Sequence, residues 1–511
     1  MNILTVFNIK KVCGKYKNDP ARLMDIVNDL HKEKNFIGKE EARLIANEVG
    51  LKLVEVESLV SFYGFFSQRN KGKYVVRVCN DVVDKMKGFD EVAEAFQKDL
   101  GVGFGETTPD GAISLEQAPC IGMCDQAPAA IINEVVFTNL TSMKVADITG
   151  RLKKKIDPRN ISTEIGDGNN AHPLIKSMVK NNIVKKGEVI FAQREAESGL
   201  KKAISLLPEE IVSQLKTSKL RGRGGAGFPT GMKWDFTRQA RGDKKYVLCN
   251  ADEGEPGTFK DRVLLTECAD LVFEGMTIGG YAIGAEEGVL YLRGEYAYLR
   301  NYLESKLAER RQSGLLGKNI LGKQGFNFEI RIQSGAGAYI CGEETALISS
   351  CEGLRGDPKT RPPFPAQKGY LKKPTTVNNV ETFCCVSRIM EKGASWFSAM
   401  GTPGSPGTKL LSVSGDCEKP GVYELPFGTK VSDLFSIVGA TNTKAVLVGG
   451  PSGQIIGASE FGRIICYDDL ATGGAIVIFN KTRDLLEVAK DYMEFFVEES
   501  CGYCTPCRAG N

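Results

Sequence analysis

Hydrophobic and polar positions alternate in different rhythms along this chain, and the rhythm changes mark its domains. Up to about residue 68 the apolar residues recur at helical spacing, from Ala21 to Leu30 and again from Glu40 to Val60. Asn18-Asp19-Pro20 reads as a helix start, and Glu57-Ser58 as the opening of a further short turn. A strand-like run, Tyr74-Val75-Val76-Arg77-Val78, then ends at Cys79. A helix near 88–100, a strand at Ile113-Ser114-Leu115-Glu116, a cysteine-bearing loop at 120–128 and strands across 130–137 follow, the pattern of a small α/β unit. Residues 153–172, rich in Lys, Asn, Asp and Gly, read as a linker. From 173 to about 395, strands and helices alternate between Gly-rich turns, and 245–250 and 288–293 read as buried parallel strands. Gly404-Ser405-Pro406-Gly407 marks a boundary, after which 408–465 looks like a small β-rich module with strands at 409–414 and 445–448. Residues 484–499 read as a helix.

Composition narrows the function classes. The 511 residues are 42% hydrophobic and 25% charged, ordinary globular values that suggest several domains. A net charge of +3 gives no case for nucleic acid or an anionic membrane as partner. No window approaches the roughly 18 apolar residues of a membrane span, and the N-terminus lacks a basic signal-peptide region. Fifteen cysteines at irregular spacings argue against a disulfide scaffold and for a reducing, cytoplasmic compartment. Only His31 and His172 occur, each alone, which removes His-rich zinc hydrolases, haem sites and Ser–His–Asp triads. Chemistry here must run on thiolates, carboxylates, backbone amides or a bound organic cofactor.

The motifs fit that restriction. Cys501, Cys504 and Cys507 stand at C-x2-C-x2-C spacing, which can put three thiolates on one iron–sulfur cube; a zinc site or a redox C-x-x-C pair are the other readings. The fourth thiolate is expected beyond Asn511, so the chain reads as a fragment. The Gly-rich stretch 221–231 contains G-x-G-x-x-G, but follows a helical segment rather than the strand of a dinucleotide fingerprint. Its crowded glycines still let backbone amides approach a flat ring or phosphate. The acidic loop 250–261 follows a buried strand directly, where α/β folds bind ligands. A second Gly-rich turn at 334–345, the rigid Arg361-Pro362-Pro363-Phe364-Pro365 and the paired amides Asn378-Asn379 complete a pocket suited to a ring system with a ribityl or ribose chain.

Stretches 222–233, 250–257, 335–344, 377–382 and 500–510, in that order, resemble the NADH-oxidising flavoprotein subunit of respiratory complex I and its relatives. Residues 1–150 resemble that family's smaller thioredoxin-like iron–sulfur subunit, here fused in front. The fusion is most similar to the flavoprotein (alpha, diaphorase) subunits of cytoplasmic NAD-reducing [NiFe]-hydrogenases. The resemblance implies an α/β multidomain chain: a helical region at 1–70, a thioredoxin-like [2Fe-2S]-type domain at 71–152, and a Rossmann-like FMN and NADH domain at 173–403. A β-grasp-like (ubiquitin-like) module at 404–466 and the start of a truncated [4Fe-4S]-binding helical bundle at 467–511 would follow.

It also implies site residues. FMN would lie on Gly222, Gly224, Gly225, Ala226 and Gly227, with Lys233, Asn250, Asp252 and Glu253 at its ring, ribityl and phosphate regions and Asn378 and Asn379 in contact. NAD(H) would stack on the flavin, gripped by Phe228 and Phe364, with Glu255 and Glu344 on hydroxyl and amide groups; Tyr339, Gly342, Glu343, Gly254 and Val377 would line the same pocket. Hydride transfer between aligned rings needs no proton-shuttling side chain, so none is expected beyond support from Glu255. Gly254 replaces a serine of the family and is expected to leave room beside the flavin. The [4Fe-4S] cluster would use Cys501, Cys504 and Cys507.

In the N-terminal unit the family's C-x4-C and C-x3-C pattern is kept as Cys79, Cys120 and Cys124, but Asp84 stands in for the second cysteine. A carboxylate can ligate iron, so a second cluster on Cys79, Cys120 and Cys124 with Asp84 is one reading; the expectation leans to a domain that has lost its [2Fe-2S] cluster and keeps a packing role. The implied function is hydride exchange between NAD(H) and FMN and single-electron transfer to the cube. Partners would be the other diaphorase and hydrogenase subunits, beginning with an iron–sulfur relay subunit, with no nucleic acid and no membrane insertion. The equivalent module of complex I or a soluble formate dehydrogenase, and a non-catalytic scaffold paralogue, are the alternatives.

Overall fold

Four helices open the chain, Ile3–Lys15, Leu23–Lys34, Lys39–Val49 and Leu53–Phe62, in a computed structural model that describes residues 3–165 and 172–510. Asp19 caps the short 3-10 turn Pro20–Arg22 that runs into the second one, its carboxylate accepting the Ala21 N–H with Pro20 in the first turn. Glu57 and Ser58 open no turn. They lie inside Leu53–Phe62, because Val56, Leu59 and Val60 around them bury one continuous face. These helices share a core with Leu347, Ile348, Cys351, Leu248 and Val289 of the later flavin-type domain.

The thioredoxin-like unit holds strands β1 (Tyr74–Cys79), β2 (Ile113–Ala118), β3 (Ala130–Ile132) and β4 (Val135–Phe137) in the order β2-β1-β3-β4. β1 and β2 are parallel, so both end at the same edge, where Cys79 and the Cys120 loop meet. The expected linker at 153–172 is partly helix. Pro158–Ile165 forms one that packs near β4 with Ile161 buried, because Asp157-Pro158 supplies a helix start; 166–171 lie outside the described residues.

Strand β5 (Ile183–Lys185) leads into the flavin-type domain, whose sheet contains β6 (Tyr246–Ala251), β7 (Glu287–Leu292), β8 (Glu329–Ser334) and β9 (Thr375–Asn379). These four run parallel in the order β8-β7-β6-β9. The last sheet adds β10 (Thr408–Gly415), β11 (Gly421–Pro426), β12 (Thr443–Val448), β13 (Gln454–Gly457) and β14 (Ala475–Asn480), ordered β13-β12-β14-β10-β11-β5. The module therefore does not stop at 466. Its central strand is β14, whose apolar run Ala475-Ile476-Val477-Ile478-Phe479 is buried between β10 and β12, and its edge strand β5 comes from the preceding segment. The helix Leu485–Glu498, capped by Asp484, then carries the chain to the C-terminal cysteines.

One carboxylate fastens the segment after β5 to the last sheet. Glu424 of β11 is buried and accepts the N–H groups of Gly187, Val189, Ile190 and Phe191 at 3.1, 2.9, 2.8 and 3.0 Å, and the Thr408 hydroxyl at 2.7 Å. Replacing Glu424 with Ala strands these donors, each at a cost of about 1–3 kcal/mol when left unsatisfied. We expect a thermal midpoint lowered by several degrees for Glu424→Ala by circular dichroism; an unchanged midpoint would show that the 187–191 segment is held by other means.

Candidate functional site

In the sheet order β8-β7-β6-β9, chain connections leave β6 toward β7 on one side while β9 lies on the other. That makes the β6/β9 junction a topological switch point, where the carboxyl ends of parallel strands open a crevice. Asn250 and Asn379 are register partners at those ends. Asn250 Nδ2 donates to the Gly342 carbonyl at 2.8 Å, and its Oδ1 accepts the Asp252 N–H at 3.0 Å. Asn379 Nδ2 donates to Asp261 Oδ2 at 2.6 Å, while its Oδ1 takes the Glu381 N–H and Lys260 Nζ.

The 222–227 loop closes over this crevice. The Arg223 N–H donates to Thr382 Oγ1 at 2.9 Å, and the Tyr467 hydroxyl donates to the Gly222 carbonyl at 2.6 Å. Gly227 has φ +63°, and a Cβ there would come within 2.6 Å of the Tyr467 ring; at Gly222 the nearest atom would be a relaxed 3.6 Å away. Gly224 faces Asn379, where a Cβ would meet the side chain at 3.1 Å.

Below the crevice lies a buried charge cluster. Lys260 Nζ contacts Asp261 Oδ1 at 2.6 Å and Glu381 Oε2 at 3.1 Å, and Lys409 Nζ pairs with the same Glu381. Burial works to raise the Glu381 carboxyl, but Lys409 and Lys260 hold it below the usual carboxylate range. Burial depresses Lys409 to about 8 despite Glu381, while Lys260 is pushed up because it has Asp261 to itself as well.

On the expected NAD(H) side, Phe228 and Phe364 are 44% and 52% exposed, as open stacking surfaces for the adenine end must be. Lys233 Nζ bridges Glu344 Oε2 and the Val377 carbonyl, both at 3.1 Å, and Arg361 meets Glu344 Oε1 at 3.2 Å. The Tyr339 hydroxyl donates to Glu255 Oε2 at 2.6 Å, and Glu255 Oε1 accepts from the Ser452 hydroxyl and N–H of the β-grasp-like module. Gly254 abuts Tyr339, where a Cβ would lie 3.2 Å from the ring; the expected free room beside it is occupied.

Three expected contacts turn elsewhere. Glu253 is buried against the helix Lys260–Glu267, accepting the Asp261 and Arg262 N–H groups and the Tyr296 hydroxyl; burial pushes its carboxyl up to about 7. Glu343 caps the helix Glu344–Cys351 through the Thr345 and Ala346 N–H groups. Asn378 Oδ1 is taken by Trp234 Nε1 at 2.8 Å. Helix-capping and core hydrogen bonds claim these side chains. Tyr467, Thr382, Lys260, Asp261 and Glu381 shape the crevice instead; the last four lie inside the 250–261 and 377–382 stretches without a named role there, and only Tyr467 lies outside every motif.

The arrangement suits a flavin. Asp252 Oδ2 is buried without a hydrogen-bond partner, an acceptor that a ribityl hydroxyl would satisfy, and burial raises its carboxyl well above the usual range. At the C-terminus, Cys504 and Cys507 are exposed and Cys501 half-buried, its carbonyl taken by Arg355 Nη2 at 2.7 Å. Their donor set, three soft thiols, is right for iron–sulfur, but the sulfurs are not gathered within 4.8 Å of one another as those of Cys120 and Cys124 are. Such a site assembles with its metal. A groove of about 1020 Å³ lies beside the C-terminal cysteines rather than at the β6/β9 crevice, between Leu51, Val54, Gly353, Arg355 and Tyr503.

Comparison with known proteins agrees with this geometry. Residues 215–388 match the Nuo51 FMN-binding domain, 9–153 the thioredoxin-like [2Fe-2S] ferredoxin family, and 487–511 the NADH-ubiquinone oxidoreductase-F iron-sulfur binding region. The NAD-reducing hydrogenase HoxS subunit alpha of Cupriavidus necator is 51% identical, over 98% of this chain and 84% of that protein. The chain belongs to that family of hydrogenase alpha subunits. The NADP-reducing hydrogenase subunit HndC of Solidesulfovibrio fructosivorans is 46% identical over 61% of this chain and 66% of its own length. A crystal structure of NAD+-reducing [NiFe]-hydrogenase in the H2-reduced state superposes with a TM-score of 0.87 at 35% identity, covering 97% of this chain and 82% of that one. This chain joins matches to a thioredoxin-like [2Fe-2S] unit, an FMN-binding domain and an iron–sulfur region in one polypeptide.

Within this alpha-subunit fold, Gly227→Ala and Gly222→Ala should part company. Positive φ and the Tyr467 clash cost the first about 1–2 kcal/mol or more, and FMN retention after gel filtration should fall. Gly222→Ala should melt near the wild type. Equal melting and equal flavin content for the two would refute the loop geometry.

Proposed function

We propose that this chain is the diaphorase subunit of a cytoplasmic NAD-reducing [NiFe]-hydrogenase complex, exchanging reducing equivalents with NAD(H) at the β6/β9 crevice. The observation that carries the reading is the meeting of the 222–227 loop, Asn250 and Asn379 over the carboxyl ends of parallel strands. When bound there, FMN supplies the interconversion of a hydride with single electrons. Gly222, Gly224, Gly225, Ala226, Gly227, Lys233, Asn250, Asp252 and Asn379 would hold it.

The chain's own residues align rather than react. Phe228 and Phe364 offer flat faces for the adenine end of the dinucleotide, and Glu344, steered by Lys233 and Arg361, offers acceptors to its hydroxyl and amide donors. Glu255 is oriented between Tyr339 and Ser452, so a β-grasp-like loop helps set the nicotinamide subsite. Orientation of this kind accounts for much of the rate in reactions between two bound rings. Cys501, Cys504 and Cys507 would hold a [4Fe-4S] cluster that accepts single electrons, with an iron–sulfur relay subunit as the next partner. The cytoplasmic assignment is supported by fifteen cysteines, none of them in a disulfide.

Anaerobic titration of the FMN-loaded protein with NADH should bleach flavin absorbance stoichiometrically. A folded chain that binds FMN without bleaching would overturn the reading. Phe228→Ala with Phe364→Ala should raise KM for NADH about tenfold, for about 1.4 kcal/mol of lost stacking, and leave kcat nearly unchanged.

A further inference from the structure

The turn that ends the N-terminal helical region reaches into the flavin-type domain. It reads Tyr63-Gly64-Phe65-Phe66 and follows the helix Leu53–Phe62 directly. The N–H groups of Gly64 and Phe65 donate to the Gly337 and Ala336 carbonyls, both at 2.9 Å. Asn28 Nδ2, on the helix Leu23–Lys34, donates to the Ser334 carbonyl at 3.2 Å. Successive carbonyls at the start of the 334–345 loop are thus taken by donors from the N-terminal region. Gly337 has φ +75°, and a Cβ there would lie 2.7 Å from the Phe65 ring. A glycine is required at this point of the loop because the N-terminal turn fills the space a side chain would need.

The same turn holds the far end of that segment. Tyr63 is buried, and its hydroxyl lies 2.8 Å from Ser350 Oγ and 3.2 Å from the Leu354 carbonyl. Ser350 belongs to the helix Glu344–Cys351 and also meets the Tyr291 hydroxyl at 2.8 Å. Residues 339–344, which carry Tyr339, Gly342, Glu343 and Glu344, are therefore strung between two points of attachment to one short turn. That turn is itself braced. Arg77 of β1 donates from Nη2 to the Phe65 carbonyl at 3.3 Å, and its guanidinium lies over the Phe65 ring at 4.4 Å. Phe66 packs against His31 at 5.3 Å between ring centres, and His31 Nε2 accepts the Ser67 N–H at 3.1 Å.

We propose that Tyr63 and Phe65 are positioning residues for dinucleotide binding, presetting the 335–344 loop from behind. Phe65 selects the backbone conformation at Gly337, and Tyr63 fixes the helix that follows Glu344. The proposal rests on the reading of the crevice as a site for NAD(H). A loop ordered before its ligand arrives loses less conformational freedom on binding, so affinity depends on the turn while the chemical step does not. The N-terminal region then has a task at the nucleotide site that is separate from any cluster in the thioredoxin-like unit.

The test uses the FMN-loaded full-length protein in its native assembly. KM and kcat for NADH, FMN content, the thermal midpoint and hydrogen–deuterium exchange of the 335–351 amides are measured together. Phe65→Ala should raise KM about tenfold, keep kcat within about twofold of wild type and speed exchange in the 335–344 loop, with FMN retained. Tyr63→Phe removes one hydroxyl and keeps the ring; it should raise KM about threefold and speed exchange in the helix Glu344–Cys351. If Phe65→Ala fails to fold, Tyr63→Phe decides. Wild-type KM and wild-type exchange in the folded variants would overturn the proposal. A lower thermal midpoint or lost FMN with KM unchanged would overturn it too, as the mark of a turn that only holds domains together. Wild-type protein that binds FMN without being bleached by NADH would sink the NAD(H) reading and this proposal with it, whereas a bleaching wild type with silent variants sinks the positioning role alone.

Discussion

Lys260, Asp261, Glu381 and Lys409 meet in the interior, and the geometry of the crevice follows from how they settle their charge. Two cations face two carboxylates, so the cluster is balanced as a set and in no single pair. Its members come from three places: the helix after β6, the helix after β9, and β10. Leaving any of them unpaired costs about 3–5 kcal/mol, which strongly disfavours separation of those elements. Glu381 Oε1 also accepts the Leu410 N–H at 2.9 Å, so the same carboxylate sets the position of the β-grasp-like module. Asn379 bridges Lys260 and Asp261, which delivers the cluster's rigidity to the switch point itself. The crevice is held open by ions beneath it.

The same logic joins the N-terminal unit to the flavin-type domain. Arg262 and Arg293 are buried, and each extends its guanidinium to both sides of the junction. Arg262 reaches Gly122, Asp125 and the Lys180 carbonyl, and Arg293 reaches Cys120, Glu295 and the Glu253 carbonyl. A planar fork with several donors suits this better than a lysine, because carbonyls and carboxylates arrive from different directions. Glu253, lodged at the start of the Lys260–Glu267 helix, serves that junction, and its neighbour Asp252 is left for the pocket.

Much of this is legible in the amino-acid sequence where local pattern carries the information. The buried strands at 246–251 and 287–292 and the helix before the cysteines follow from periodicity, and the motif order points to the crevice. What local pattern does not carry are pairings across long separations. β5 joins β11 across more than two hundred residues of chain, so 183–185 has no signal of its own. β14 is as apolar as the strands that periodicity identifies, but the cysteine motif that follows it draws the expected boundary too early. Glu253 and Glu343 look identical in sequence to the neighbouring Asp252 and Glu344; only the position of a helix N-terminus distinguishes an acid that caps from one that faces a pocket. Tyr467 carries no signal either, because nothing nearby in the chain reveals what its hydroxyl meets.

The helix Leu485–Glu498 draws these regions into one body. Asp491 pairs with Lys85, Tyr492 enters the thioredoxin-like unit, and Phe495 packs edge-on against Tyr339 at 5.0 Å between ring centres. One turn later, Glu499 accepts the Tyr339 N–H at 2.9 Å, two residues before Cys501. Tyr339 in turn orients Glu255. A single helix therefore touches the N-terminal cysteine site, the wall of the flavin crevice and the C-terminal cysteines. Electron exchange between separate centres depends on fixed spacing rather than on side-chain chemistry, and a stiff rod braced at each of them supplies that spacing without any residue having to move. The scarcity of histidine then reads as a consequence: this chain's task is to hold groups still.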